Sequence, residues 1–562
     1  MTRRIALLLV VLFALVGCAA MPTSGPVGVG VDQDTEQESV ELLGDPPPQD
    51  GSPEDIVRGF LGASAAGFSR RSDTESDDFR NAREYLSGET RRTWTPRERV
   101  VVYPTASSPK LRLDGSEVQV TVKVAARIDA DGRYSQAGPS AEETLSFGMV
   151  QDSEGQWRIA ALDDGVVLSE PNFEAIYRSS TLYFLSQDET FLVPETRWFP
   201  LRNLATSIVR ALIAGPSPWL RDAVRTAIPE GATLQPDAVS VDADGVAAIS
   251  LAAGGLPAEP HDRSLMQAQL EASLRLARVR TVEVSADGVA MEPDPVTLDR
   301  GQDPGGALEA VQGGATLVQL SHGEFVPVDG VDSVSGLDLR SPARQPGGPL
   351  RVGLSGSAKL ITLPTDAQRS TTLLATESAL VPPSVDRLGW VWTAVADSSQ
   401  LIAVNDAGST IRIDADWLVD REVRAVRIAR DASRIAVISD GADGVRIDVT
   451  AVVRDDSGTP QSVGPAQRVG ATLVDASRVV WVDESSLGVL GISSSVVTEV
   501  YHLVPLAGAS EPRGAIADPV DIAGGKGDSV VYLSNSEDQI YSRSGPSWVA
   551  VADDVRYPSF AG

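Results

Sequence analysis

The chain has 562 residues, 48 Lys and Arg against 77 Asp and Glu, and a formal net charge of −29. Its length calls for several independent cores, and its acidity argues against nucleic acid or anionic lipid as a partner, because both are bound mainly through clustered cations. A single cysteine rules out an internal disulfide, and three histidines leave little material for metal or triad chemistry.

Arg3 and Arg4 precede an unbroken apolar stretch from Ile5 to Val16, followed by small residues. This is the layout of a secretory signal over residues 1–17, and it is too short to span a bilayer. The two arginines also occur in twin-arginine signals, but nothing else around them supports that route. Leu15-Val16-Gly17-Cys18 resembles the bacterial lipobox. That resemblance implies that the Cys18 thiol takes up a diacylglyceryl group and that Cys18 becomes the mature N-terminus. The competing reading is an ordinary signal with a chance cysteine at its end. Each buried CH₂ contributes roughly 0.8 kcal/mol, so two or more acyl chains hold durably where one does not. The expected location is the cell membrane, anchored by lipid on its extracytoplasmic face. No later apolar run approaches the ~20 residues of a span.

Residues 18–53 are expected to form a lipidated acidic tether. Asp32, Asp34, Glu36, Glu38, Glu41, Asp45 and Asp50 occur there with no basic residue after Cys18, and Pro46-Pro47-Pro48 stiffens the segment.

Residues 54–170 are expected to be a small α+β domain. An amphipathic helix carries Ile56, Val57, Phe60 and Leu61 on one side. Val118, Val120, Val122 and Val124 alternate as in a half-buried strand, and Gly148 to Val150 with Trp157 to Ala160 flank a hairpin turn at Asp152 to Gly155. Helix first, then a curved sheet ending in a hairpin, is similar to the nuclear transport factor two-like fold.

Residues 177–300 contain Leu182-Tyr183-Phe184-Leu185, Leu192-Val193-Pro194-Glu195-Thr196-Arg197, Ala211-Leu212-Ile213-Ala214-Gly215-Pro216-Ser217 and Thr226-Ala227-Ile228-Pro229. This series resembles the GerMN domain, named for spore-germination proteins. The residue pattern independently predicts an α+β unit. Leu201, Leu204, Ile208 and Leu212 share a helical face that Gly215-Pro216 ends, and Met266, Leu270, Leu274 and Ala277 form a second stripe. Strands are expected at Val239 and Val241, before an Asp244-Gly245 turn, and at Val246 to Leu251 and Val282 to Val284.

After a Gly-rich join over 301–314, residues 315–562 show no long helix and a recurring apolar strand. Positions Trp390, Val437, Trp481 and Tyr532 lie 47, 44 and 51 residues apart, a spacing that suits four-stranded propeller blades of roughly 45 residues and predicts five or six of them. A pair of β-sandwiches is the competing architecture.

The order of lipobox, acidic tether, α+β domain, GerMN domain and repetitive all-β domain resembles the actinobacterial lipoprotein LpqB family along almost the whole chain. The resemblance implies an envelope lipoprotein whose extracellular region interacts with the sensor kinase MtrB and modulates the two-component system of MtrA and MtrB. Composition and spacing show none of that signalling role. The function expected is therefore a lipid-anchored binding and regulatory protein, with a sensor kinase ectodomain as partner and no enzymatic activity or cofactor. The alternative is a cell-wall glycan-binding protein or glycan hydrolase.

Catalytic motifs are thin. His261, His322 and His502 show no metal spacing. Ser107-Ser108-Pro109-Lys110 fits S-x-x-K, but Pro109 opposes the helix that pattern needs. Asp129-Ala130-Asp131-Gly132 and Asp242-Ala243-Asp244-Gly245 open like calcium loops yet lack the closing Glu, which makes hairpin turns the better reading. Among aromatics, Arg197, Trp198, Phe199 and Trp219 are candidates for a partner interface, packing against the GerMN sheet being the other explanation. Trp390, Trp392 and Trp481 are expected to pack blades.

Overall fold

The computed structural model describes residues 44–68, 79–257, 259–301, 305–366 and 368–562. The signal segment, Cys18 and most of the tether lie outside the described residues. From Leu42 onward the chain forms one compact unit, in which three modules follow one another.

The first module opens with the helix Pro53–Ala66. Pro53 suits the first turn because its missing N–H would have no helical partner there. Ser52 and Asp55 form a reciprocal capping box, with Ser52 Oγ accepting from Asp55 N at 3.2 Å and Asp55 Oδ2 accepting from Ser52 N at 3.3 Å. Ile56, Val57 and Phe60 are buried as the periodicity requires. The helix packs on strands that divide between two four-stranded sheets, one of which contains the parallel pair Arg99–Tyr103 and Val166–Ser169. Val118, Val120, Val122 and Val124 are all buried, and Glu142–Gln151 pairs with Trp157–Ala161 across the expected turn. The described end of the tether is fastened to this module. Asn81 Nδ2 donates to Gly44 O at 2.6 Å, and the Tyr85 hydroxyl donates to Asp45 O at 3.1 Å.

The second module is built on the hairpin Tyr177–Ser186 with Leu192–Pro200, a four-stranded sheet containing Val246–Leu251 and Thr281–Ala286, and the helices Leu204–Ala214 and Pro260–Leu274. Leu204, Ile208, Leu212, Met266, Leu270 and Leu274 all enter its core. Leu201 does not. Asn203 takes a left-handed conformation ahead of the helix, which starts at Leu204 and leaves Leu201 40% exposed. Val241 is likewise exposed, at the end of a two-residue strand.

The third module is a propeller whose described residues form six sheets, five of four strands and one, the fourth blade, of five. Its inner strands are Val555–Ser559, Leu339–Arg344, Ser384–Val385, Arg421–Ile428, Leu473–Trp481 and Pro519–Ala523, and each touches the next around a closed ring. Closure comes from the last strand. Val555–Ser559 pairs with Glu309–Gln312 and completes the first blade, which removes the free sheet edge that an open array would carry.

The repeat expected from sequence does not fall on equivalent strands. Val437 and Tyr532 lie in the second strands of their blades, Trp390 just precedes a second strand, and Trp481 ends the inner strand of its blade. First and second strands of a blade are both buried on two faces, so both read as the same short apolar run and spacing alone does not separate them.

Candidate functional site

The residues singled out by sequence meet at the junction of the modules. Trp198 sits where all three converge. Its ring lies 4.7 Å from Phe173 and 6.0 Å from Tyr134, both of the first module. Its indole N–H donates to Ala507 O of the propeller at 2.8 Å, and its backbone N–H donates to Gly132 O at 2.8 Å. Gly132 has φ +80°, and a Cβ there would lie 2.5 Å from Trp198 O, so only glycine allows this approach. Its turn is the expected hairpin, with Asp129 Oδ1 accepting from Asp131 N and Arg133 N.

One residue before Trp198 on the strand, the Arg197 side chain is 2% exposed and faces Glu195, whose position at i−2 puts it on the same side. Arg197 Nε and Nη2 reach the two Glu195 oxygens at 2.9 and 3.0 Å, and Nη2 also donates to Gly215 O at 2.9 Å. Ser217 donates to Glu195 through its backbone N–H and its hydroxyl, and accepts from Arg133 Nε at 2.8 Å. Phe199 is 7% exposed in the core of the second module. Trp219 packs against both that core and the cluster of the fourth and fifth blades, and a Cβ at Gly464 would come within 2.9 Å of its carbonyl.

These four residues are therefore engaged within the chain. Arg197 and Phe199 are covered, and Trp198 and Trp219 join modules.

Residues that sequence reasoning missed complete the seam between the second module and the propeller. The Arg387 guanidinium grips Asp188 with two bonds, at 2.7 and 2.8 Å, and lies 4.4 Å over the Phe191 ring. The Tyr183 hydroxyl donates to Glu484 Oε1 at 2.6 Å, and Arg300 lies 4.7 Å over the Tyr183 ring while bonding the same carboxylate. Burial, with Glu484 beside it, raises the Tyr183 hydroxyl far above the ordinary tyrosine range and keeps it a donor. Arg387 and Glu484 both follow the ends of inner strands, so the second module sits on that end of the propeller.

Burial pushes the Asp188 carboxyl up, but the bonds from Arg387 and Ser186 outweigh it and hold the pKa well below the carboxylate range. A depressed folded pKa stabilises the native contact above the unfolded value near 4, and that contribution is lost as the pH falls below it. Acidification from pH 5 to pH 3 is therefore expected to weaken the seam. Hydrogen exchange should show faster exchange at Gln187 to Phe191 at pH 3, with intrinsic rates corrected, and unchanged protection there would refute the assignment.

The histidines stay apart. His261 Nε2 meets Glu189 Oε2 at 3.1 Å, His322 Nδ1 lies 3.0 Å from Ser321 Oγ in a turn, and His502 is buried in a strand, where burial lowers its pKa. Among the described residues no group of three His, Cys, Asp or Glu side chains is arranged to hold a metal ion. Ser107 precedes a strand that begins at Lys110, not a helix. No helix among the described residues is long and apolar enough to cross a membrane.

Three family models match the chain. One described as the lipoprotein LpqB N-terminal domain covers residues 46–174, one described as sporulation and spore germination covers 181–292, and one described as the lipoprotein LpqB beta-propeller domain covers 315–561. Among curated relatives, lipoprotein LpqB of Cutibacterium acnes is 27% identical over 538 residues, with 88% of each chain covered. The protein of the same name from Streptomyces coelicolor is 28% identical, with 96% of this chain and 94% of that one covered. Among solved structures, the first GerMN domain of the sporulation protein GerM from Bacillus subtilis is 18% identical, with a TM-score of 0.18, 22% of this chain and 96% of that chain covered.

Proposed function

Because the chain belongs to the lipoprotein LpqB family, we propose that it is a lipid-anchored, extracytoplasmic regulatory protein that binds the outer domain of an MtrB-like sensor kinase. By preferring one conformation of that domain it biases signalling without doing chemistry itself. A preference of about 1.4 kcal/mol shifts the receptor's two-state ratio about tenfold.

The observation that supports this reading is the locking of three modules into one body through Trp198, Arg387 with Asp188, and Tyr183 with Glu484. A body held at several points presents a fixed shape, and a fixed shape discriminates between receptor conformations where a flexible string of domains would adapt to both. The lipid on Cys18 adds a second contribution. Confinement to the receptor's own membrane raises the effective concentration, so a weak contact suffices.

The end of the propeller opposite the second module exposes Val419, Val474 and Val520 near the starts of the inner strands. Photo-crosslinkers at Val419 and Val520, used in the native envelope, are expected to capture a kinase ectodomain. Crosslinks only to wall glycan, with no kinase, would replace this reading by that of a glycan-binding protein.

A further inference from the structure

We propose that the propeller channel, at the end covered by the second module, holds the carboxylate of a small organic acid, with Arg427 as the residue that grips it. This does not depend on the kinase reading.

A cavity of about 40 Å³ lies where the inner strands end, lined by Pro383, Ile428, Trp481, Ile522 and Phe560 among others. Its walls mix apolar and polar groups, and its size suits only a ligand of a few heavy atoms. In a chain of net charge −29, this lining contains Arg427 and Arg430 and neither Asp nor Glu.

Arg427 is held with one edge in use and one edge open. Its Nη1 donates to Pro383 O at 2.9 Å and to Val426 O at 3.2 Å, which fixes the plane of the guanidinium. The other edge, Nε and Nη2, has no hydrogen-bond partner among the described residues. Those two parallel N–H groups match the two oxygens of a carboxylate. The strand itself is also fixed, because the Trp481 indole N–H donates to Arg427 O at 3.1 Å.

A bulge in the inner strand orients the group. The pairing of Arg421–Ile428 with Arg434–Gly441 shifts between Val423 and Ala425, leaving Arg424 as the extra residue. Arg424 is matched by Asp440 and Asp475, whereas Arg427 has no ion pair among the described residues. The carboxylate that acts on Arg427 electrostatically, Asp521, is already bonded by the Ile522 N–H and lies 3.7 Å from Arg478 Nε. Burial raises the Asp521 pKa and lowers that of Arg427. The Arg427 shift is relieved when an external anion supplies negative charge beside its open edge. The small apolar room beside Arg427 favours a short aliphatic acid over a large or multiply charged anion.

The test uses the full-length chain in detergent, with acetate and propionate as probes and chloride and inorganic phosphate at matched ionic strength as comparisons. Propionate should raise the unfolding temperature saturably, and saturation-transfer NMR should show its methyl and methylene protons in contact with the protein. Arg427→Gln should lose at least about tenfold in affinity. Arg427→Lys, which keeps the charge without the fork, should also weaken binding, while Arg112→Gln, at an exposed pair far from the channel, should not. The proposal is overturned if wild type shows no saturable response to either carboxylate, if both Arg427 variants bind as wild type does, or if chloride and phosphate compete equally well. Should Arg427→Gln fail to fold, the wild-type NMR contact and the lysine variant still decide.

Discussion

Replacing Arg197 with Ala is expected to destabilise the second module by about 3–5 kcal/mol, the cost of leaving a buried carboxylate without its partner. Both side chains are almost fully covered, at 2% exposure for Arg197 and 3% for Glu195. The loss is larger than the pair's net worth, since the remaining charge keeps only the Ser217 donors while its desolvation cost persists. Replacing both partners together, Glu195→Leu with Arg197→Met, should cost much less than Arg197→Ala alone, because no unpaired charge remains. Denaturant unfolding of the three variants reads this directly. If the double variant proved as unstable as the single one, lost packing and not the orphaned charge would be the cause.

Trp198→Ala should cost about 2–3 kcal/mol, below the 3–5 expected for a fully buried tryptophan because this one is only partly covered. Its effect should be distributed differently from that of Arg197→Ala. The ring touches Phe173 and Tyr134 and the indole nitrogen bonds Ala507, so its removal loosens all three modules from one another while each core stays filled. The expected signature is an unfolding curve that separates into more than one transition, with faster hydrogen exchange at Gly132 and Ala507. A single cooperative transition, merely shifted, would contradict the role of Trp198 as the common fastening.

Local order was readable from the sequence, and long-range partnership was not. The helix at Pro53, the alternating strand Val118 to Val124 and the Asp129 and Asp242 turns follow from caps, period and turn chemistry that act over a few residues. Glu195 and Arg197 could have been paired in advance, since a strand places i and i+2 on one face. Asp188 and Arg387 could not, because they are 199 residues apart and no local pattern marks a partner at that distance. The blades were recognisable as a repeat, yet the phase was misassigned where the inner strand ending at Trp481 took the place of a second strand. Asn203 similarly moved a helix start past Leu201, because its left-handed backbone follows from the turn out of the preceding strand and leaves no mark in hydrophobic spacing.

Signalling output and solution binding, measured side by side for wild type and Cys18→Ala, test the central claim most directly. The soluble parts of the two proteins should bind an isolated kinase ectodomain equally, while in cells the unlipidated chain should need on the order of 10²-fold more protein for the same output, the usual scale of an avidity effect. Full restoration of signalling by the unlipidated chain at wild-type abundance would contradict a docking platform that works by being tied to the membrane.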